Sequence, residues 1–172
     1  MKGGAPASVL EEALTAWRDA RLGIIDEVRN IPARHFEFRP TPETRSVREL
    51  VQHILEVAMM MTGELTRPDT DFHRAPWPKL LGLYAKPAWR ATSRPALLKL
   101  LRTQLADAER RFRHQGGLAL FQFITQFDGS TGTKFAWLHH GIAQEMYHRG
   151  QLALYARLLG REPALTRRIR GG

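Results

Sequence analysis

The stretch "QEMYHRGQ", residues 144–151, sets a glutamine and a histidine four residues apart. On a helix that spacing displaces two side chains by ~40° around the axis and ~6 Å along it. His140, Gln144 and His148 therefore fall on one slanting stripe. If the stripe faces a bundle interior, its imidazoles and amide oxygen can approach one point and share a metal ion. The chain has no cysteine, which excludes thiolate metal sites, disulfides and cysteine nucleophiles. The ligands left are His, Asp, Glu and amide oxygens. A second helix must supply another donor. His53 is the only histidine elsewhere in a strongly helical stretch, and bundles build metal sites from side chains on facing helices. Two imidazoles and an amide oxygen would leave positions open for water or substrate, the mark of a catalytic site.

Other residues nearby have roles to weigh. Glu145 makes Glu-x-x-His with His148, a genuine ligand spacing. It lies on the opposite side of His148 from Gln144, so it is expected to support the site from outside the ligand set or to face solvent. Glu56, one turn after His53, could orient that imidazole by accepting its other N–H. Arg149 is either a solvated arginine or an anion binder at the pocket edge. Gly150 permits close helix packing, and Gln151 could hydrogen-bond within the bundle. His35, His73, His114 and His139 are read as surface or loop residues. Met59, Met60 and Met61 are read as core and interface filler.

Four helical stretches must position these groups. The first covers about residues 8–30, with Ser8 and Glu11 as a capping box and an apolar stripe from Val9 to Val28. "IPARHFEFRPTPETR" ends it with three prolines. The second runs from about Ser46 to Leu65, with Ser46 and Glu49 as a second capping box. Residues 66–95 are rich in proline and tryptophan. "PKLLGLYA" predicts one or two helical turns there, and Trp77, Tyr84 and Trp89 could cap a pocket or bury the connection. So long a link is a crossover between helices that need not be neighbours. The third helix covers about Arg94–Arg113, N-capped by Ser93. "LFQFITQF" then fits a short strand or an extended loop equally well. The fourth spans about Thr133–Leu159 and stops at Gly160. The predicted class is all-α, a four-helix bundle with a long crossover between helices two and three. It forms one domain over residues 1–172, with a core of about 8–163 and a basic tail, 164–172, that is frayed at its end.

Composition agrees with an ordered domain: 43% hydrophobic and 9% aromatic. No apolar run reaches the ~18 residues that cross a bilayer, and no signal peptide is evident, so a cytoplasmic, bacterial protein is expected. The net charge of +9 comes from arginines spread along the chain, apart from Arg167, Arg168 and Arg170 near its end. That dispersion makes nucleic acid an unlikely partner.

The segments "WLHHGIAQEMYHRGQLALYARLLGREP" and "RSVRELVQHILEV" resemble the DinB/YfiT-like family. The family pattern is a histidine early in helix two, then His-x-x-x-His-Arg-Gly-Gln on helix four. His53 matches the first histidine, and His148, Arg149, Gly150 and Gln151 match the end of the second motif. The resemblance implies an up-down-down-up bundle, a divalent metal such as nickel, zinc or iron, and a homodimer. The chain departs from the pattern at Gln144, where the family has histidine. Three readings follow: Gln144 ligates through its oxygen, His140 substitutes for it, or the metal is absent. Characterised relatives include metal-dependent thiol S-transferases and a thiol-dependent isomerase. By resemblance, His53, Gln144 and His148 would hold an ion that activates a low-molecular-weight thiol, with hydrolysis as a variant. The other expectation is a non-catalytic, stress-related dimer that binds a metal or small ligand.

Overall fold

The computed structural model describes residues 8–171. Its four long helices are α1 (Val9–Asn30), α2 (Val47–Leu65), α5 (Arg94–Gln115) and α6 (Lys134–Leu158). Between α2 and α5 lie two short helices, α3 (Trp77–Tyr84) and α4 (Lys86–Arg90). A final helix, α7 (Ala164–Arg170), follows α6. Residues 164–170 are therefore helical and packed on α1, which corrects the reading of a tail frayed at its end.

The helix starts are written in their first turns. Ser8, Ser46, Ser93 and Thr133 each accept a hydrogen bond from a backbone N–H three residues on, satisfying donors that the helix leaves orphaned. At Ser46 the box is reciprocal, because Glu49 accepts from the Ser46 N–H at 2.8 Å. Gly160, at φ 71°, takes the left-handed conformation that ends α6.

Side-chain contacts give the relative directions of the long helices. Glu11 pairs with Arg113, Arg18 with Glu109, and Arg94 with the Val28 carbonyl, so α1 and α5 run antiparallel. Trp17 meets Glu145 while Asn30 meets Glu162 just beyond α6, so α1 and α6 run parallel. On the other side, Met61 touches Gly141 and the Tyr155 hydroxyl donates to the Arg45 carbonyl, so α2 and α6 run antiparallel.

The interior holds two apolar clusters. One gathers Leu14, Trp17, Met61, Phe112 and Leu138, and the other Ile24, Val28, Ile54, Leu101 and Leu152. A buried polar layer lies between them. Arg21, fully buried, donates to Glu145 Oε1 at 2.5 Å, to Glu145 Oε2 at 2.9 Å and to Gln104 Oε1 at 2.7 Å. Trp17 Nε1 donates to Glu145 Oε1 at 2.6 Å, and Gln104 Nε2 donates to Thr62 Oγ1 at 3.0 Å. The layer thus ties all four long helices together.

Ahead of α6 a small antiparallel hairpin pairs β1 (Phe123–Thr125) with β2 (Thr131–Thr133). "LFQFITQF" thus yields one short strand inside a hairpin. The hairpin brings Phe127 against Phe72, Trp77 and Trp137. An aromatic wall forms at the start of α6.

Candidate metal centre

The antiparallel packing of α2 on α6 brings His53 and His148 together, ring centroids 5.0 Å apart and nearly perpendicular. Both line one cavity of about 310 Å³, which Gln144 and His140 also line. Its remaining walls are aliphatic and aromatic: Val57 and Met61 from α2, Trp77 from α3, and Trp137 and Tyr147 from α6.

Each histidine is held by a residue three positions further along its own helix. His53 Nδ1 lies 2.7 Å from Glu56 Oε1, and His148 Nδ1 lies 2.7 Å from Gln151 Oε1. Glu56 is fixed in turn by the Trp89 indole N–H, 2.6 Å from its second oxygen. Burial works against the Glu56 carboxylate, but the hydrogen bonds from His53 and Trp89 outweigh it and hold its pKa below the usual value. An ionised carboxylate only accepts, so His53 Nδ1 carries a proton and donates to Glu56. The same logic at Gln151 leaves the lone pair of His148 on Nε2. Burial lowers the His148 pKa over the opposing pull of Gln151, and the neighbouring His53 adds to the lowering. A neutral imidazole with a free nitrogen is a metal ligand.

Gln144, one turn before His148, lines the same cavity. Its Oε1 is buried and has no hydrogen-bond partner. An unsatisfied buried carbonyl costs about 1–3 kcal/mol, a cost that a bound cation would offset. The donors therefore fit a divalent ion: two imidazoles from facing helices and one unsatisfied amide oxygen. Among the described residues, no three His, Cys, Asp or Glu side chains converge.

His140 is exposed and stacks edge-on against Trp137 with centroids 5.0 Å apart, at the cavity wall rather than against the histidine pair. Glu145 is not a surface residue. It is 1% exposed and bound to Arg21 and Trp17 on the face of α6 turned to α1. Arg149 does not line the histidine cavity. It too faces α1, where its guanidinium packs on Gly23. Trp89 touches the site only through Glu56. The aromatic wall of Phe127, Trp137 and Tyr147 carried no signal in the sequence, because an aromatic residue on a loop or helix gives no local sign of the cavity it lines.

The comparisons with known proteins bear on the family and the fold. The DinB family model matches residues 6–170. The structure is similar to a DinB-like protein from Bacillus subtilis, with a TM-score of 0.66 and 19% identity over 87% of this chain and 92% of that one. It is similar to a DinB-family protein from Exiguobacterium sibiricum, with a TM-score of 0.65 and 22% identity over 89% and 93%. A mycothiol-dependent maleylpyruvate isomerase gives a TM-score of 0.65 at 16% identity, covering 84% of this chain and 61% of the isomerase. No curated protein matches the sequence. With the family model matched over nearly its whole length, the chain belongs to the DinB family.

Proposed function

We propose that the protein is a divalent-metal-dependent enzyme that binds a low-molecular-weight thiol and transfers it to, or uses it on, an electrophilic small molecule. The observation that carries this reading is the paired histidines on facing helices, with both Nδ1 atoms occupied, in a cavity also lined by Gln144, whose amide oxygen is unsatisfied. His53, Gln144 and His148 would hold nickel, zinc or iron. A bound ion would supply the Lewis acidity that lowers the pKa of the incoming thiol. The chain's own residues do the rest. Glu56 and Gln151 orient the two rings. The wall of Trp77, Phe127, Trp137 and Tyr147 excludes water and receives the apolar part of a substrate. The excess positive charge favours a thiol or substrate bearing carboxylates. The fold similarity to a mycothiol-dependent isomerase supports a thiol as the partner.

The helix directions support an up-down-down-up four-helix bundle, and we take residues 1–172 as one domain of a cytoplasmic bacterial protein. No helix among the described residues is long and apolar enough to cross a membrane. The partner copy of a homodimer would sit on α6, where Tyr147, Leu154 and Leu158 are exposed along one face with Gly150 open between them.

Cobalt substitution tests the thiol. The protein has no cysteine, so a thiolate-to-cobalt charge-transfer band can arise only from added thiol. Glutathione or N-acetylcysteine is expected to produce that band in the cobalt-loaded protein and not in His148→Ala. Cobalt bound without any such band would refute thiol activation. It would favour the second reading, a non-catalytic metal- or ligand-binding dimer, for which the weak Gln144 donor speaks.

A further inference from the structure

On the side of α6 that faces α1, a second cavity of about 580 Å³ opens between α1, α6 and α7. It shares no lining residue with the histidine cavity. Five guanidinium groups line it, from Arg29, Arg149, Arg161, Arg167 and Arg168, against a single lining carboxylate, Asp26. The wall is fixed in place. Asn30 Nδ2 donates to the Glu162 carbonyl at 2.8 Å, and the Leu165 N–H donates to Glu27.

Arg149 is the one residue of α6 that lines this cavity. It is 7% exposed, a burial that ordinarily requires a paired charge. Yet among the described residues its one hydrogen bond is a contact to the Met146 sulfur at 3.9 Å. The nearest carboxylate oxygen, Oδ2 of the exposed Asp19, is 3.8 Å away, and the other oxygen of that carboxylate pairs with Arg168 at 3.9 Å. Gly23 is what lets the guanidinium lie there, since a Cβ at residue 23 would come within 2.2 Å of Arg149 Cζ. A planar cation is thus seated in a pocket with four further arginines around it, most of its N–H donors having no hydrogen-bond partner among the described residues.

We propose that this pocket binds a small polyanion through phosphoryl or carboxyl groups. Arginine forks match both chemistries bidentately. The cavity has the size of a small-molecule site, so the ligand is larger than a single phosphate ion. Arg149 and Arg161 would grip one anionic group, and Arg167 and Arg168 on α7 another. This site is independent of the metal-centre proposal, which could fail without affecting it.

Calorimetric titration of the full-length protein with pyrophosphate, and separately with citrate, at about 0.15 M ionic strength tests the site and tells phosphoryl from carboxyl ligands. Saturable one-to-one binding of at least one probe is expected. Arg149→Gln should weaken it tenfold or more. Because Arg149 is buried and the variant could misfold, Arg161→Gln/Arg168→Gln, made at exposed positions, should also weaken binding several-fold. Arg102→Gln, exposed on α5, should leave it unchanged. No binding of either probe would overturn the proposal, as would affinity unaltered in the folded double variant. Binding to oligonucleotides alone would overturn it in favour of a nucleic-acid surface.

Discussion

His53 and His148 each commit one ring nitrogen to a neighbour one turn along, and that is what prepares the other nitrogen. An imidazole in water prefers the tautomer with the proton on Nε2, the wrong one for a ligand bound through that atom. Glu56 and Gln151 reverse the preference. Nitrogen-15 spectra of the metal-free protein at neutral pH should therefore show both rings protonated at Nδ1. Gln151→Leu should return His148 toward the Nε2–H form and weaken metal affinity by about 10–100-fold. Finding Nε2–H on both rings of the wild type would contradict the arrangement. At this scale the sequence was partly legible. Four-residue spacing on a helix marks Gln144 and His148, and three-residue spacing marks Glu56 as partner to His53. Arg21 carried no such signal. Between Ala20 and Leu22 it reads as an ordinary solvated arginine, and its partners Gln104 and Glu145 lie 83 and 124 residues away.

At the scale of elements, the long helices were legible because local chemistry starts and stops them. Capping residues, prolines and Gly160 act within one turn of the chain. The hairpin and α7 were less legible. Their short runs gain stability from packing onto α6 and α1, which local propensity does not report. What holds the long helices in register is the buried layer of Arg21, Glu145, Gln104 and Trp17. Such a layer adds little net stability when complete, but its disruption leaves a charge without a partner. Arg21→Ala should therefore destabilise the protein by about 3–5 kcal/mol, measured by urea unfolding. Arg21→Met/Glu145→Leu should recover most of the loss, because an apolar pair of similar volume has no charge to bury. A loss below about 1 kcal/mol in Arg21→Ala, the range of a surface pair, would show that the layer does not bind the helices together.

For the whole molecule, α6 divides the work among its faces. His148 and Gln144 look toward α2, Glu145 and Arg149 look toward α1, and Tyr147, Leu154 and Leu158 remain exposed. Under the homodimer proposal, that third face is where the partner copy would sit. Light scattering should give the mass of a dimer for the wild type, and Leu154→Glu should shift it toward the monomer. A monomeric wild type would refute the interface. Tyr147 belongs both to that exposed face and to the histidine cavity, so pairing through α6 would place the partner copy beside the cavity. The metal remains the most direct test. Protein purified without a metal-binding tag is analysed for nickel, zinc, iron and manganese, beside His148→Ala and Gln144→His. Near-stoichiometric metal in the wild type is expected, lost in His148→Ala and retained more firmly against chelator in Gln144→His. No metal in the wild type, even after incubation with each of the four ions, or metal undiminished in His148→Ala, would contradict a centre built on His53, Gln144 and His148.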